Sequence, residues 1–241
     1  MDAGSRNTSR SISSASFDRW WQLQGEWVEE PNERRGGCSG VQRVSKDGLC
    51  LYAKRQTGHI HRSALHPFGR PTVLREREAL LGAGKAGVNV PEIVYCAAEH
   101  SANGWRALLI TKALEGFQPI DEWYANQGRE KYGEALHQQL IVAIAQTLAC
   151  LHTARWQHGC LYIKHIFVRV NRNGQALTPK VALLDLEKCR RRLTRKQASI
   201  HDMLQLRRHS PWDQSDWQSL ISHYQIAMGR NFKSLYNATR P

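Results

Sequence analysis

No apolar run in this 241-residue sequence approaches the roughly 20 residues that a membrane-spanning helix needs. Met1 to Ser16 is rich in Ser and Arg, and no apolar stretch follows it, which excludes the layout of a secretory signal. Residues 1–16 are predicted to be a mobile basic tail on a cytoplasmic protein. The six cysteines (Cys38, Cys50, Cys96, Cys150, Cys160 and Cys189) include no C-x-x-C pair and no zinc-like spacing with histidine. Most of them read as reduced core residues of a reducing compartment. The eleven histidines form no H-E-x-x-H signature. Also missing are a G-x-x-x-x-G-K-[ST] loop and a G-x-S-x-G elbow, and the glycines of Gly36 to Gly40 do not complete a G-x-G-x-x-G pattern. Acidic residues are few: 21 Asp and Glu stand against 34 Lys and Arg, for a formal charge of +13. Such an excess calls for a polyanion, whether nucleic acid, anionic lipid headgroups or phosphorylated sugars, or else serves solubility alone. The basic run Arg190, Arg191, Arg192, Arg195 and Lys196 carries no interleaved aromatics, so nucleic acid is the weakest of these readings.

What is present is ordered in two parts. Phe17 to Val28 carries Trp20, Trp21 and Trp27 and anchors the start of the fold. Glu30 to Gly40 reads as a turn-rich stretch. Val41 to Val44 and Leu49 to Lys54 read as strands joined at Asp47-Gly48, a strong hairpin signal. Val73 to Leu81 is a predicted helix with Thr72 as its N-cap, ending near Gly82 and Gly84. Val90 to Ala97 and Trp105 to Lys112 are further strands around Asn103-Gly104. Beyond this the pattern turns helical. Leu140, Ile141, Ile144, Ala145, Leu148 and Leu151 recur at helical spacing within Glu134 to His152 and imply a buried face. Ile166 to Val170 and Val181 to Leu184 read as short strands around a turn-rich Asn171 to Pro179, and helices follow from about Ala198. Trp212, Trp217 and Tyr224 are their expected packing anchors. The fold class is α+β, with a β-rich part before an α-rich part.

Four places carry residues suited to chemistry. Glycines in Gly36-Gly37-Cys38-Ser39-Gly40 would let backbone N–H groups approach phosphate oxygens, although an ordinary turn explains them as well. Lys54 closes an apolar strand and could reach phosphates if a carboxylate held it; Glu76 and Glu78 are two candidates that cannot share a helix face. A solvated surface lysine is the alternative. His158-Gly159-Cys160-Leu161-Tyr162-Ile163-Lys164-His165 packs two histidines, a cysteine and a lysine into eight residues, with no protease-type signature around them. Asp185 ends an apolar strand, where a carboxylate binds a cation or caps a neighbour, because an unpaired buried charge is costly.

The order of these parts (Gly-rich turn, strand Lys, helix Glu, His-containing loop, strand, Asp) is that of the protein-kinase fold. Arg75-Glu76-Arg77-Glu78-Ala79-Leu80, His158 to Phe167 and Leu184-Asp185-Leu186-Glu187 resemble the lipopolysaccharide kinase family (Kdo/WaaP/InaA type), over roughly Trp27 to Tyr224, with the H-G-C-L-Y form pointing to its InaA-like branch. The resemblance implies a bilobal protein-kinase-like fold, with an N-lobe over 17–110 and a C-lobe over 111–241. It implies that ATP is bound by the backbone of Gly36, Gly37, Ser39 and Gly40, by Lys54 paired to Glu76, and by a hinge that includes Lys112 and Ala113. It implies Mg²⁺ at Asp185, with His165 in the second metal-binding position. Cys160 stands where such kinases keep an Asp base, so His158 or Lys164 is expected to supply charge in its place. The implied substrate is lipopolysaccharide core oligosaccharide or another anionic glycan. The implied location is the cytoplasm, with peripheral contact at the anionic inner face of the inner membrane. A nucleotide-binding pseudokinase with a regulatory or stress-response role is the alternative.

Overall fold

A computed structural model describes residues 16–34, 36–63 and 66–238. The chain divides into two compact units. One holds the residues up to Arg77 together with Glu92–Ala113; the other holds Glu78–Pro91 and the chain from Leu114. Of the expected tail 1–16, residues 1–15 lie outside the described residues, and Ser16 begins a helical turn, α1 (residues 16–21).

The first unit is built on an antiparallel sheet of five strands in the order β1 (Glu26–Arg34), β2 (Gly37–Lys46), β3 (Leu49–Thr57), β7 (Gly104–Lys112) and β6 (Ile93–Ser101). Asp47 and Gly48 both take left-handed φ, 51° and 75°, as a two-residue hairpin requires. Of the turn expected over Glu30 to Gly40, the described residues show a turn only at Gly36. β1 continues through Pro31 because it is an edge strand that absorbs irregularity, here through register shifts between Trp27 and Asn32. Side chains alternate along β3. Leu51 and Ala53 face a core of Phe17, Val44, Leu108 and Ile110, while Lys54 and Gln56 face the other way. On the core side, the Arg55 guanidinium binds the Leu23 and Trp21 carbonyls and ties α1 to the sheet. A short hairpin, β4 (Ile60–Ser63) with β5 (His66–Pro71), leads into α2 (Thr72–Lys85). Thr72 is not a simple N-cap. Its hydroxyl pairs with the Gln56 carboxamide, whose oxygen also accepts the Val73 amide at 3.1 Å, so β3 caps the helix.

The second unit is organised around α4 (Gly128–Thr153), which breaks at Gly133 with φ 82°. Its C-terminal run buries Leu136, Leu140, Ile141, Ile144, Ala145, Leu148 and Leu151, the face that the sequence periodicity marked. Before it come β8 (Gln118–Pro119) and α3 (Ile120–Ala125). After it, β9 (Trp156–Gln157) pairs with β12 (Arg190–Arg191) and closes the base of a loop. Within that loop, β10 (Ile166–Asn173) and β11 (Ala176–Leu183) form a hairpin that turns at residues 174–175, far tighter than expected. Pro179 sits in the ladder opposite Val170, which an edge strand tolerates. α5 (Arg195–His209) opens on a capping box of Thr194 and Gln197. It is followed by α6 (Gln214–Met228), capped by Asp213, and by α7 (Lys233–Tyr236). Trp212, Trp217 and Tyr224 are buried, as anchors should be. The cysteines are less buried than expected: all six are free thiols, and only Cys160 and Cys189 lie in the core.

Candidate functional site

Lys54 and Gln56 share one face of β3, and both meet α2. Gln56 meets its first turn at Thr72 and Val73, and Lys54 meets Glu76 one turn further along, four residues from Thr72 on the same helix face. The ammonium lies 2.8 Å from the Glu76 carboxylate, with the two side chains only 15% and 10% exposed. A charge so nearly buried needs such a partner, so the surface-lysine alternative is overturned. Glu78 lies off this face and is exposed.

The other expected phosphate and base contacts of this unit are altered by the fold. Gly36 forms the corner with φ 72°, while Gly37, Ser39 and Gly40 are strand residues. Ser39 pairs with Asn32 on one side and Gln56 on the other, and Gly40 pairs with Arg55. These glycines are needed for packing. A Cβ on Gly37 would meet the Gly58 backbone at 2.2 Å, and one on Gly40 would meet the Trp27 ring at 2.7 Å. Among the described residues of this stretch only Gly36 is thus a turn; Arg35 lies outside them. At the expected hinge, the Lys112 amide donates to the Glu92 carbonyl and the Ala113 amide to the Cys50 carbonyl, both at 2.9 Å. Neither amide is at hand for a base. The Lys112 ammonium pairs with Glu92 near the surface.

In the second unit, Cys160, His165 and Asp185 come together, with their ligating atoms all within 4.8 Å of one another. β11 ends at Leu183, and Asp185 follows with a left-handed φ of 58°. That conformation costs about 1–2 kcal/mol outside glycine. Its carboxylate is not buried but 40% exposed, and it reaches His165 Nε2 at 3.5 Å. Backbone geometry, rather than desolvation, marks this residue. His165 Nδ1–H donates to the Cys160 carbonyl at 2.7 Å. Burial pushes the Cys160 thiol up, against the pull of the nearby Lys188 ammonium, 3.7 Å from Sγ. Cys160 is therefore a thiol at neutral pH, not a ready base.

His158 does not supply charge. It is fully buried, burial lowers its pKa, and its Nε2–H donates to the Leu184 carbonyl at 3.0 Å. Its ring stacks at 5.8 Å on that of His165 and so orients it. Lys164 is exposed on the short 3₁₀ turn over 163–165.

The sequence reading missed what holds this loop. Asp202 of α5 is wholly buried and accepts the His158 amide at 2.5 Å and the Gly159 amide at 2.9 Å; it also lies 3.2 Å from His152 Nε2. Burial alone would raise its pKa, but His152, His158 and the Gly159 amide together hold it below the usual aspartate value. Gln205, one turn on, accepts the Leu161 amide at 2.9 Å. A signal did exist: Ala198, Asp202 and Leu206 share one buried helix face, where a carboxylate is out of place. Gly159 was also passed over. Its φ is 79°, and a Cβ there would meet the Lys188 carbonyl at 2.8 Å.

A second group with metal-like spacing, Glu134, His137 and Asp216, is already bridged by the Arg129 guanidinium, 2.7 Å from Glu134 and 2.9 Å from Asp216. Cations fit the two sites differently. A magnesium ion wants oxygen ligands. Of the trio only Asp185 offers one, so it fits magnesium as a single carboxylate beside a nucleotide's own phosphate oxygens, while His165 and Cys160 do not.

Residues 18–224 match the Lipopolysaccharide kinase (Kdo/WaaP) family. Protein InaA of Escherichia coli (strain K12) is 42% identical over 209 residues, covering 86% of this chain and 94% of that protein. Among solved structures, WaaP in complex with acyl carrier protein has a TM-score of 0.66 at 20% identity, over 88% of this chain and 82% of that chain. At that identity the likeness speaks for the fold, which is the α+β, kinase-like one.

Proposed function

The chain belongs to the lipopolysaccharide kinase (Kdo/WaaP) family, and from that premise we propose that it transfers phosphate from ATP to a sugar hydroxyl, on heptose or Kdo, of the lipopolysaccharide inner core. The observation that carries this reading is the Lys54–Glu76 pair at 2.8 Å, a cation on the inner face of a strand fixed by a helix carboxylate. Lys54 would neutralise nucleotide phosphates, and Glu76 would keep its ammonium aimed. ATP, when bound, supplies the transferable phosphoryl group and oxygen ligands for a divalent ion. Asp185 would hold that ion, Mg²⁺, through its half-exposed carboxylate. Phosphoryl transfer depends mostly on positioning and charge neutralisation, so a loop without a carboxylate base is compatible with turnover. The +13 charge suits an anionic glycan and peripheral contact with an anionic inner-membrane surface.

A second reading, a nucleotide-binding pseudokinase, is favoured by one feature. Cys160, a buried thiol, stands where the base of such a loop would stand. ATP turnover by the purified protein, measured with and without core oligosaccharide, separates the two. Sugar-dependent turnover is expected; tight nucleotide binding with no turnover under either condition would overturn the kinase reading in favour of the pseudokinase.

A further inference from the structure

Two ligand atoms face each other in the second unit. His165 Nδ1–H donates to the Cys160 carbonyl at 2.7 Å, which leaves Nε2 as the ring nitrogen available to a cation. It faces the Asp185 carboxylate 3.5 Å away, a separation at which both can hold one ion. The thiol of Cys160, the residue whose carbonyl orients the imidazole, is the third atom of the cluster, and all three lie within 4.8 Å of one another.

We propose that Cys160, His165 and Asp185 form a site for a single borderline-soft divalent cation, zinc(II) or a close congener, that fills without nucleotide. Bond lengths of roughly 2.0–2.3 Å to N, O and S put tetrahedral ligands roughly 3.3–3.8 Å apart. The His165–Asp185 separation of 3.5 Å already falls in that range. The donor set is one thiolate, one imidazole and one carboxylate, which selects zinc or cobalt over magnesium. The hydrogen bond from the far ring nitrogen to a backbone carbonyl is the usual support of a ligating histidine. On binding, the Cys160 S–H proton leaves to solvent and the sulfur–metal bond forms in its place; water takes the fourth position. The Lys188 ammonium, 3.7 Å from Sγ, favours the thiolate while repelling the ion, and so moderates the affinity. The inference goes beyond the kinase reading and stands without it; it concerns the nucleotide-free protein, where zinc takes the Asp185 carboxylate that Mg-ATP would otherwise claim.

The test uses the full chain, stripped of metal with a chelator and titrated with cobalt(II) alone. One equivalent is expected to produce a thiolate-to-cobalt charge-transfer band. One equivalent of zinc(II) should abolish the band, and a large excess of magnesium should leave it. Cys160→Ser should remove the band, and Asp185→Asn should weaken binding by about tenfold or more. Metal-free thermal unfolding checks each variant. If Cys160→Ser fails to fold, Asp185→Asn carries the test, since its carboxylate is 40% exposed. Absence of the band, its survival in Cys160→Ser, undiminished affinity in Asp185→Asn or its loss to magnesium would each overturn the proposal. Phosphotransfer is not read in this experiment, so its failure leaves the kinase reading standing.

Discussion

At the scale of single residues, the partner that the fold gives a charged group decides what it can do. Lys54 is nearly buried, and its ammonium stands 2.8 Å from the Glu76 carboxylate. Glu76→Ala removes that carboxylate and is expected to cost about 3 kcal/mol in a denaturation experiment. Lys54→Met removes the cation meant for phosphate and should lower phosphotransfer by about a hundredfold. The pair was legible in sequence through the order of strand Lys and helix Glu, and the choice of Glu76 over Glu78 came from the resemblance; the structure supplies its reason, since only Glu76 lies on the helix face turned to β3. His158 was misread, because a histidine beside a cysteine suggests chemistry, whereas its total burial and its bond to the Leu184 carbonyl depend on contacts 26 residues away. Asp185 was found for an incomplete reason. Its left-handed φ, which no composition reveals, is what distinguishes it.

At the scale of elements, the loop over 157–165 is held from below by α5. Asp202 takes two of its amides and Gln205 a third. Asp202→Ala strands those amides in the core and is expected to cost about 3–5 kcal/mol, a fall in Tm of roughly 6–20 °C. The pH dependence has a definite sign. The carboxyl is held below its ordinary value, so its stabilisation is complete above the ordinary aspartate range and is lost as pH falls through that range toward the folded value. Unfolding free energy measured from about pH 6 down to about pH 3 should therefore decline, and the decline should be shallower in Asp202→Asn. Gly159→Ala forces a left-handed alanine against the Lys188 carbonyl and should cost about 1–3 kcal/mol. Among the elements, the longest helix and the Asp-Gly hairpin were legible, because period and turn chemistry are local. The stretches around Pro31 and Pro179 were taken for loops because proline and glycine usually break strands. On an edge strand they need not, and edge position is a property of the sheet rather than of the segment.

At the scale of the whole molecule, the excess of 34 basic over 21 acidic residues is the property that reaches furthest from the surface. Binding to vesicles containing anionic lipid is expected at low ionic strength and should weaken steeply as salt is raised. Co-sedimentation that is equally strong with neutral vesicles, or insensitive to salt, would remove the electrostatic account of membrane contact. The α+β order was legible because strands and helices segregate along the chain. The meeting of His165 with Asp185 was expected from the resemblance; that the Cys160 thiol joins them was not, since no ligand spacing in sequence announces a site closed by the turn after β11. The central claim is phosphoryl transfer, and one measurement reads it directly: label moving from the γ-phosphate of ATP to purified lipopolysaccharide core oligosaccharide. The account expects incorporation into the sugar that requires a divalent ion and falls by about a hundredfold or more in both Lys54→Met and Asp185→Asn. No incorporation by a folded protein that still binds ATP, or incorporation unchanged in both variants, would contradict it.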